Sequence, residues 1–110
     1  MNSYRASVGA PSLSLDSSLN QIAEIRAEEI SRPNCFSHIR PDGTKTYNLF
    51  PNRWCGENIA WGQTSASSVS TSWYNSLSHR DNILNTHYTK MGVSVYIKNG
   101  EAYWVQVFTS

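Results

Sequence analysis

Cys55-Gly56-Glu57-Asn58-Ile59-Ala60-Trp61-Gly62 places a lone carboxylate between a cysteine and an apolar run. Glu57 to Ala60 reads as a short strand or extended piece, and Gly62 opens a loop of small residues through Ser68. Histidines stand on either side in sequence: His38 upstream in Cys35-Phe36-Ser37-His38, and His79 downstream in Ser78-His79-Arg80-Asp81-Asn82-Ile83-Leu84. A fold that gathers these three segments would make one polar site of them and leave the rest of the chain as scaffold.

Upstream of this stretch, Leu15, Leu19, Ile22, Ala23, Ala27 and Ile30 recur at three- and four-residue steps, while Gln21, Glu24, Glu28 and Arg32 sit mostly opposite. That spacing predicts an amphipathic helix with Asp16 as its N-cap and Pro33-Asn34 as its stop. A shorter helix over Asn2 to Val8 is ended by Gly9-Ala10-Pro11. Arg40-Pro41-Asp42-Gly43 is a turn, followed by a short helix through Tyr47 and Phe50 that stops at Pro51. Downstream, Val69, Trp73 and Leu77 give the apolar stripe of a further helix. The period then changes from helical to alternating: Val93, Val95 and Ile97 interleave with Ser94, Tyr96 and Lys98, and Asn99-Gly100 supplies a type I′ turn into an extended run from Ala102 to Phe108. Helices first and an antiparallel hairpin last, without βαβ alternation, indicate an α+β domain with helices on a small sheet.

A chain of 110 residues suits a single domain, 1–110, with a core of its own. A formal charge of +1 and a charged fraction of 15%, with the basic residues scattered, argue against nucleic acid as a partner, which requires clustered Lys and Arg. No apolar run approaches the ~18 residues of a membrane span, and no signal peptide is evident, as expected of a mature or excised domain. Few charges, many Ser, Thr and Asn, and 12% aromatic residues are common in exported domains. Two cysteines can be a bridge, a metal half-site or free thiols.

The motifs of several enzyme classes are absent: there is no G-x-S-x-G elbow, no phosphate-cradling glycine loop, no H-E-x-x-H helix and no C-x-x-C pair. His38, Glu57, His79 and His87 remain, with Asp42 and Asp81 nearby in sequence. Two imidazoles and a carboxylate are sufficient ligands for a zinc-like ion with an open position, and the same groups can serve as general acid and base. They also have an ordinary structural reading, as hydrogen-bonded loop or helix-end histidines around a satisfied buried acid.

Six strings in register narrow the choice. Phe36-Ser37-His38, Pro41-Asp42-Gly43, Gly56-Glu57-Asn58-Ile59-Ala60, Trp73-Tyr74-Asn75-Ser76, Ser78-His79-Arg80-Asp81-Asn82-Ile83-Leu84 and Met91-Gly92-Val93 resemble the bacterial branch of the CAP superfamily, the cysteine-rich secretory, antigen 5 and pathogenesis-related 1 proteins. The resemblance covers about Asn2 to Phe108. It implies an α-β-α sandwich, a secreted or extracellular location, and a cleft with two histidines and acidic residues that binds a divalent cation in some members. Carried over by position, the metal-binding or catalytic candidates are His38, Glu57 and His79. Eukaryotic members have a second Glu where this chain has Ser76, so the four-residue set is incomplete, with Tyr74 or Asn75 as possible substitutes.

With that cleft in view, Cys35 and Cys55 are expected to form a disulfide, which would contribute about 3 kcal/mol in the chain-entropy model. Trp54, Trp61, Trp73 and Trp104 are groove candidates, with core packing expected for at least two; Arg80 and His87 are read as surface residues. Three functions follow in order: a secreted module binding a divalent cation such as Zn²⁺ or a small polar ligand, a lipid-, sterol- or protein-binding extracellular module, and a protease-like hydrolase using the His/Glu cleft.

Overall fold

The computed structural model describes residues 1–50 and 53–110. In chain order the elements are α1 (Asn2–Ser7), β1 (Ser14–Leu15), α2 (Ser17–Ile30), a 3-10 turn (Thr46–Leu49), β2 (Cys55–Trp61), α3 (Ala66–Tyr74), α4 (Leu77–Leu84), β3 (Lys90–Lys98) and β4 (Glu101–Thr109). The stop expected at Pro51 lies outside the described residues.

The hairpin forms as its turn chemistry dictates, with Asn99 at φ 53° and Gly100 at φ 79°. β4 is the central strand: it pairs antiparallel with β3 on one side and with β2 on the other, and β1 adds a two-residue parallel pairing, giving the order β1-β3-β4-β2. Alternation along β4 then defines two faces. Tyr103, Val105 and Val107 pack with Ile59, Phe50 and the α2 stripe Leu19, Ala23, Ala27 and Ile30. Phe108 and Ala60 pack on the opposite side with Leu13, Val69, Trp73, Ile83 and Tyr88. Helix, sheet and helices therefore form the three layers of an α-β-α sandwich.

Asp16 caps α2 as expected, accepting from the Leu19 amide at 3.1 Å. Leu15, read as the first member of the stripe, instead belongs to β1 and is 69% exposed. The backbone amides of Ser14 and Asp16 bond to the carbonyls of Thr89 and Met91, which holds this segment extended until the cap. α2 lies close on β3 at Gly92, where a Cβ would strike the Leu19 carbonyl and the Asn20 amide.

The helix read through Val69, Trp73 and Leu77 is two helices. Val69 and Trp73 are buried, but the chain breaks at Asn75–Ser76 and Leu77 begins α4 with 66% exposure. Ile83 takes the core position in α4. On β3 the alternation holds, yet Val93, Val95 and Ile97 are exposed.

Candidate functional site

β2 lies at one edge of the sheet, and the groups around it fasten both helical layers to it. The carbonyls of Cys55, Glu57 and Ile59 accept from the Tyr88 hydroxyl at 2.9 Å, the Asn82 amide at 3.2 Å and the Trp73 indole at 3.1 Å. An edge whose acceptors are occupied is a poor template for another strand. Gly56 permits this closeness, since a Cβ there would lie 2.6 Å from the Tyr88 hydroxyl.

Successive side chains of a strand point to opposite faces, and Glu57 and Asn58 use that rule to address the two histidines separately. Glu57 faces α2 and is buried. Its Oε2 accepts from Arg26 Nε at 2.8 Å and Thr46 Oγ1 at 2.9 Å, and its Oε1 accepts from Arg26 Nη2 at 3.1 Å and His38 Nδ1 at 2.8 Å. Asn58 faces α4: its amide donates to the His79 carbonyl and to Gln106 Oε1, both at 3.1 Å, while Asn82 donates to its Oδ1 at 3.0 Å. Adjacent residues thus hold His38 by its ring and His79 by its backbone. The His79 ring is fixed by Ser76, with Nδ1 2.9 Å from Oγ.

Arg26 is fully buried and links this site to a second acid. Its Nη1 donates to Glu29 at 2.9 Å and its Nη2 to the Ser37 carbonyl at 2.7 Å, while Arg40 reaches Glu29 at 2.8 and 3.1 Å. Two guanidiniums therefore balance two carboxylates. Burial alone would push Glu57 up, but the hydrogen bonds from His38 and Arg26 and the Arg26 charge hold it below the ordinary carboxylate value. Glu29 is lowered against burial in the same way, by Arg40 and Arg26. An ionised carboxylate only accepts, so His38 Nδ1 carries the proton, and its Nε2 has a free lone pair whenever the ring is neutral. Burial, and after it the charge of His38, lowers the His79 pKa. A cavity of about 500 Å³ opens beside His38, bounded by Lys45, Thr46, Tyr47, Cys55 and Glu57.

The expected three-ligand set is not assembled: among the described residues no group of three or more His, Cys, Asp and Glu is arranged to hold a metal. Arg26, Thr46 and His38 occupy both oxygens of Glu57. The expected disulfide is also absent, and Cys35 and Cys55 are free thiols. Phe36, next to Cys35, packs against Trp61 at one end of β2, whereas Cys55 begins the other end, about 20 Å away along an extended strand. A disulfide needs Cα atoms within ~7 Å. Tyr74 stacks on Tyr4 at 4.0 Å and lies under Arg80, Asn75 caps α3, and His87 stacks on Trp54 at 3.9 Å.

Arg26 escaped the sequence reading although it falls between Ala23 and Ala27 on the apolar stripe, where a charge requires a buried partner. Thr46 and Asn58 carried no such signal; their roles arise from packing.

The family model of the cysteine-rich secretory proteins, or CAP proteins, matches residues 1–108. This chain belongs to that family. The CAP domain is 32% identical to YkwD of Bacillus subtilis (strain 168) over 112 residues, covering 97% of the chain and 43% of YkwD, so it spans less than half of that relative. A solved extracellular protein containing an SCP domain from Bacillus anthracis str. Ames is 32% identical, with a TM-score of 0.83, 97% of this chain and 36% of that chain covered. An outer surface protein from Borrelia burgdorferi shares the fold with a TM-score of 0.85 at 21% identity, covering 99% and 85% of the two chains. Similar CAP-domain proteins are thus described as extracellular or outer-surface. Among the described residues, no helix is long and apolar enough to cross a membrane.

Proposed function

We propose that this CAP domain is an extracellular binding module in which His38 and His79 are the residues that would hold a divalent cation. The observation carrying this reading is the separate anchoring of the two histidines by adjacent residues of β2, Glu57 for the His38 ring and Asn58 for the His79 backbone. A carboxylate behind the distal nitrogen of an imidazole orients the ring and raises its basicity as a ligand. The donor chemistry fits a weakly held ion: two neutral imidazoles would be its protein ligands, and a small polar ligand would complete the set. A bound cation would supply Lewis acidity and a docking point for an anionic or carbonyl group. Glu57, with both oxygens engaged, serves as a positioning group, and no hydrolytic step is derived through it.

Calorimetry with Zn²⁺ tests the reading. The wild-type domain is expected to give a saturable heat that disappears in the His38→Ala, His79→Ala double variant; equal heats from both would overturn it. The lipid- or protein-binding reading draws on Trp54 and Trp61, which are 56% and 50% exposed. Under that alternative, Trp54→Ala would abolish co-sedimentation with lipid vesicles while leaving the Zn²⁺ heat unchanged.

A further inference from the structure

A second concavity lies at the other end of β2, beyond Glu57 by about 13 Å of extended strand. Its volume is about 600 Å³, within the ~300–1,000 Å³ typical of small-molecule sites. The floor is aromatic. Trp61 stacks on Tyr103 with centroids 5.4 Å apart and planes 12° from parallel, and Phe36 lies 6.0 Å from Trp61 at a 54° tilt. Tyr103 is buried, whereas Trp61 and Phe36 are 50% and 44% exposed.

The indole is held in place rather than merely exposed. Trp61 Nε1 donates to Glu101 Oε2 at 2.6 Å, and burial together with the Glu101 charge pushes the Tyr103 phenol up. One wall is the chain leaving α2, with Arg32 and Asn34; the other is the hairpin tip, with Lys98 and Asn99. Lys98 Nζ donates to the Ser31 carbonyl at 3.2 Å and ties the walls together. Asn34 and Asn99 both have positive φ, at 61° and 53°, and among the described residues neither side-chain amide has a protein partner.

We propose that this pocket binds a neutral saccharide, with a pyranose ring lying on Trp61. The apolar face of a sugar ring matches an exposed, immobilised indole, and each sugar hydroxyl both donates and accepts. The rim offers the complement: the free amides of Asn34 and Asn99 do both, Lys98 donates and Glu101 accepts. Charge excludes the nearest competitors. An anion would face Glu101, a cation would face Lys98, since Arg32 is already paired with Glu28, and a proline-rich peptide, which presents carbonyl acceptors to such a groove, would bring no donor to the Glu101 carboxylate. The site requires no metal and does not use His38 or His79, so it stands or falls independently of the cation cleft.

The test is ¹H–¹⁵N NMR of the domain, following the four indole N–H signals while N-acetylglucosamine trimer, cellotriose or maltotriose is added to about 20 mM, enough to saturate a millimolar site. At least one trisaccharide is expected to shift the Trp61 indole and the Asn34 and Asn99 side-chain amides saturably. Affinity should fall at least about tenfold, or ~1.4 kcal/mol, in Trp61→Ala, and also in Glu101→Ala, while His38→Ala binds as wild type. If Trp61→Ala loses its dispersed spectrum, the exposed hairpin-tip variant Glu101→Ala decides alone. Absence of a saturable shift with all three sugars, unchanged affinity in Glu101→Ala, or a Trp61 shift produced only by a proline-rich peptide would overturn the proposal.

Discussion

Among the described residues the Glu57 carboxylate receives four hydrogen bonds, and its cationic partner Arg26 is fully buried. Truncating one member of a buried ion pair costs about 3–5 kcal/mol, because the charge left behind is neither solvated nor paired. Glu57→Gln is therefore expected to lower unfolding stability by that amount in urea titrations, whereas the exposed His38→Ala should cost less than about 1 kcal/mol. A loss of under about 1 kcal/mol for Glu57→Gln would show that Arg26 finds another partner. His79 titrates below its ordinary 6.5, so it is neutral at pH 7 and free to ligate. Below that point protons compete for the imidazoles, and Zn²⁺ affinity measured between pH 7.5 and 5 (about the range where histidine changes charge) should fall as the pH falls. Glu57 stood out in the sequence as the lone carboxylate of its stretch, flanked by the two histidine segments. Its role was not legible there, because periodicity cannot reveal that Arg26 and Thr46 claim the carboxylate first.

At the scale of the elements, β2 is held by capped carbonyls and α2 by close approach to β3. Asn82 serves two acceptors, the Glu57 carbonyl and Asn58 Oδ1. Asn82→Ala leaves both without that donor and is expected to cost about 1–3 kcal/mol, with amide hydrogen exchange accelerating in β2 and at the start of α4 before it does in β4. Uniform acceleration over the whole sheet would contradict this local role. At Gly92 the constraint is steric: Gly92→Ala must displace α2 from the sheet, and overpacking of this kind costs about 1–3 kcal/mol or more. A melting temperature unchanged from wild type would show that the helix can shift freely. The hairpin and α2 were readable because Asn99-Gly100 and the 3.6-residue stripe are local signals. The break at Asn75–Ser76 and the two-residue β1 depend on partners distant in sequence, and β1 is extended only because β3 is beside it.

Over the whole molecule, Arg5 joins the chain's first helix to its last third. Fully buried, it donates to the carbonyls of Pro11, Ile83, Asn85 and Tyr88 at 2.7–3.0 Å. Arg5→Met keeps the bulk but leaves these acceptors without their donor, so a loss of at least about 2 kcal/mol is expected by chemical denaturation. The acids set the pH dependence. Glu29 and Glu57 both titrate lower in the folded chain than the ordinary 4.5, so between those values the unfolded chain binds more protons. Their contribution is complete above about pH 4.5 and is lost as the pH falls through the folded values. A denaturation series from pH 7 to 3 (about the carboxylate range) should show that decline, and a flat profile would contradict the linkage.

By itself the sequence determined the helix stripe, the hairpin with its type I′ turn, the family resemblance, and the three segments that meet around β2. Each of these is written in local spacing or in motifs that survive without coordinates. Only the tertiary structure decided which partner each polar group takes. Glu57 spends its lone pairs on Arg26, Thr46 and His38, Ser76 orients the His79 ring in place of an acid, and Cys35 and Cys55 are left as free thiols. The physical reason is that hydrogen-bond partners and through-space distances are properties of packed layers: Arg26 and Glu57 are 31 residues apart in sequence and 2.8 Å apart in the fold.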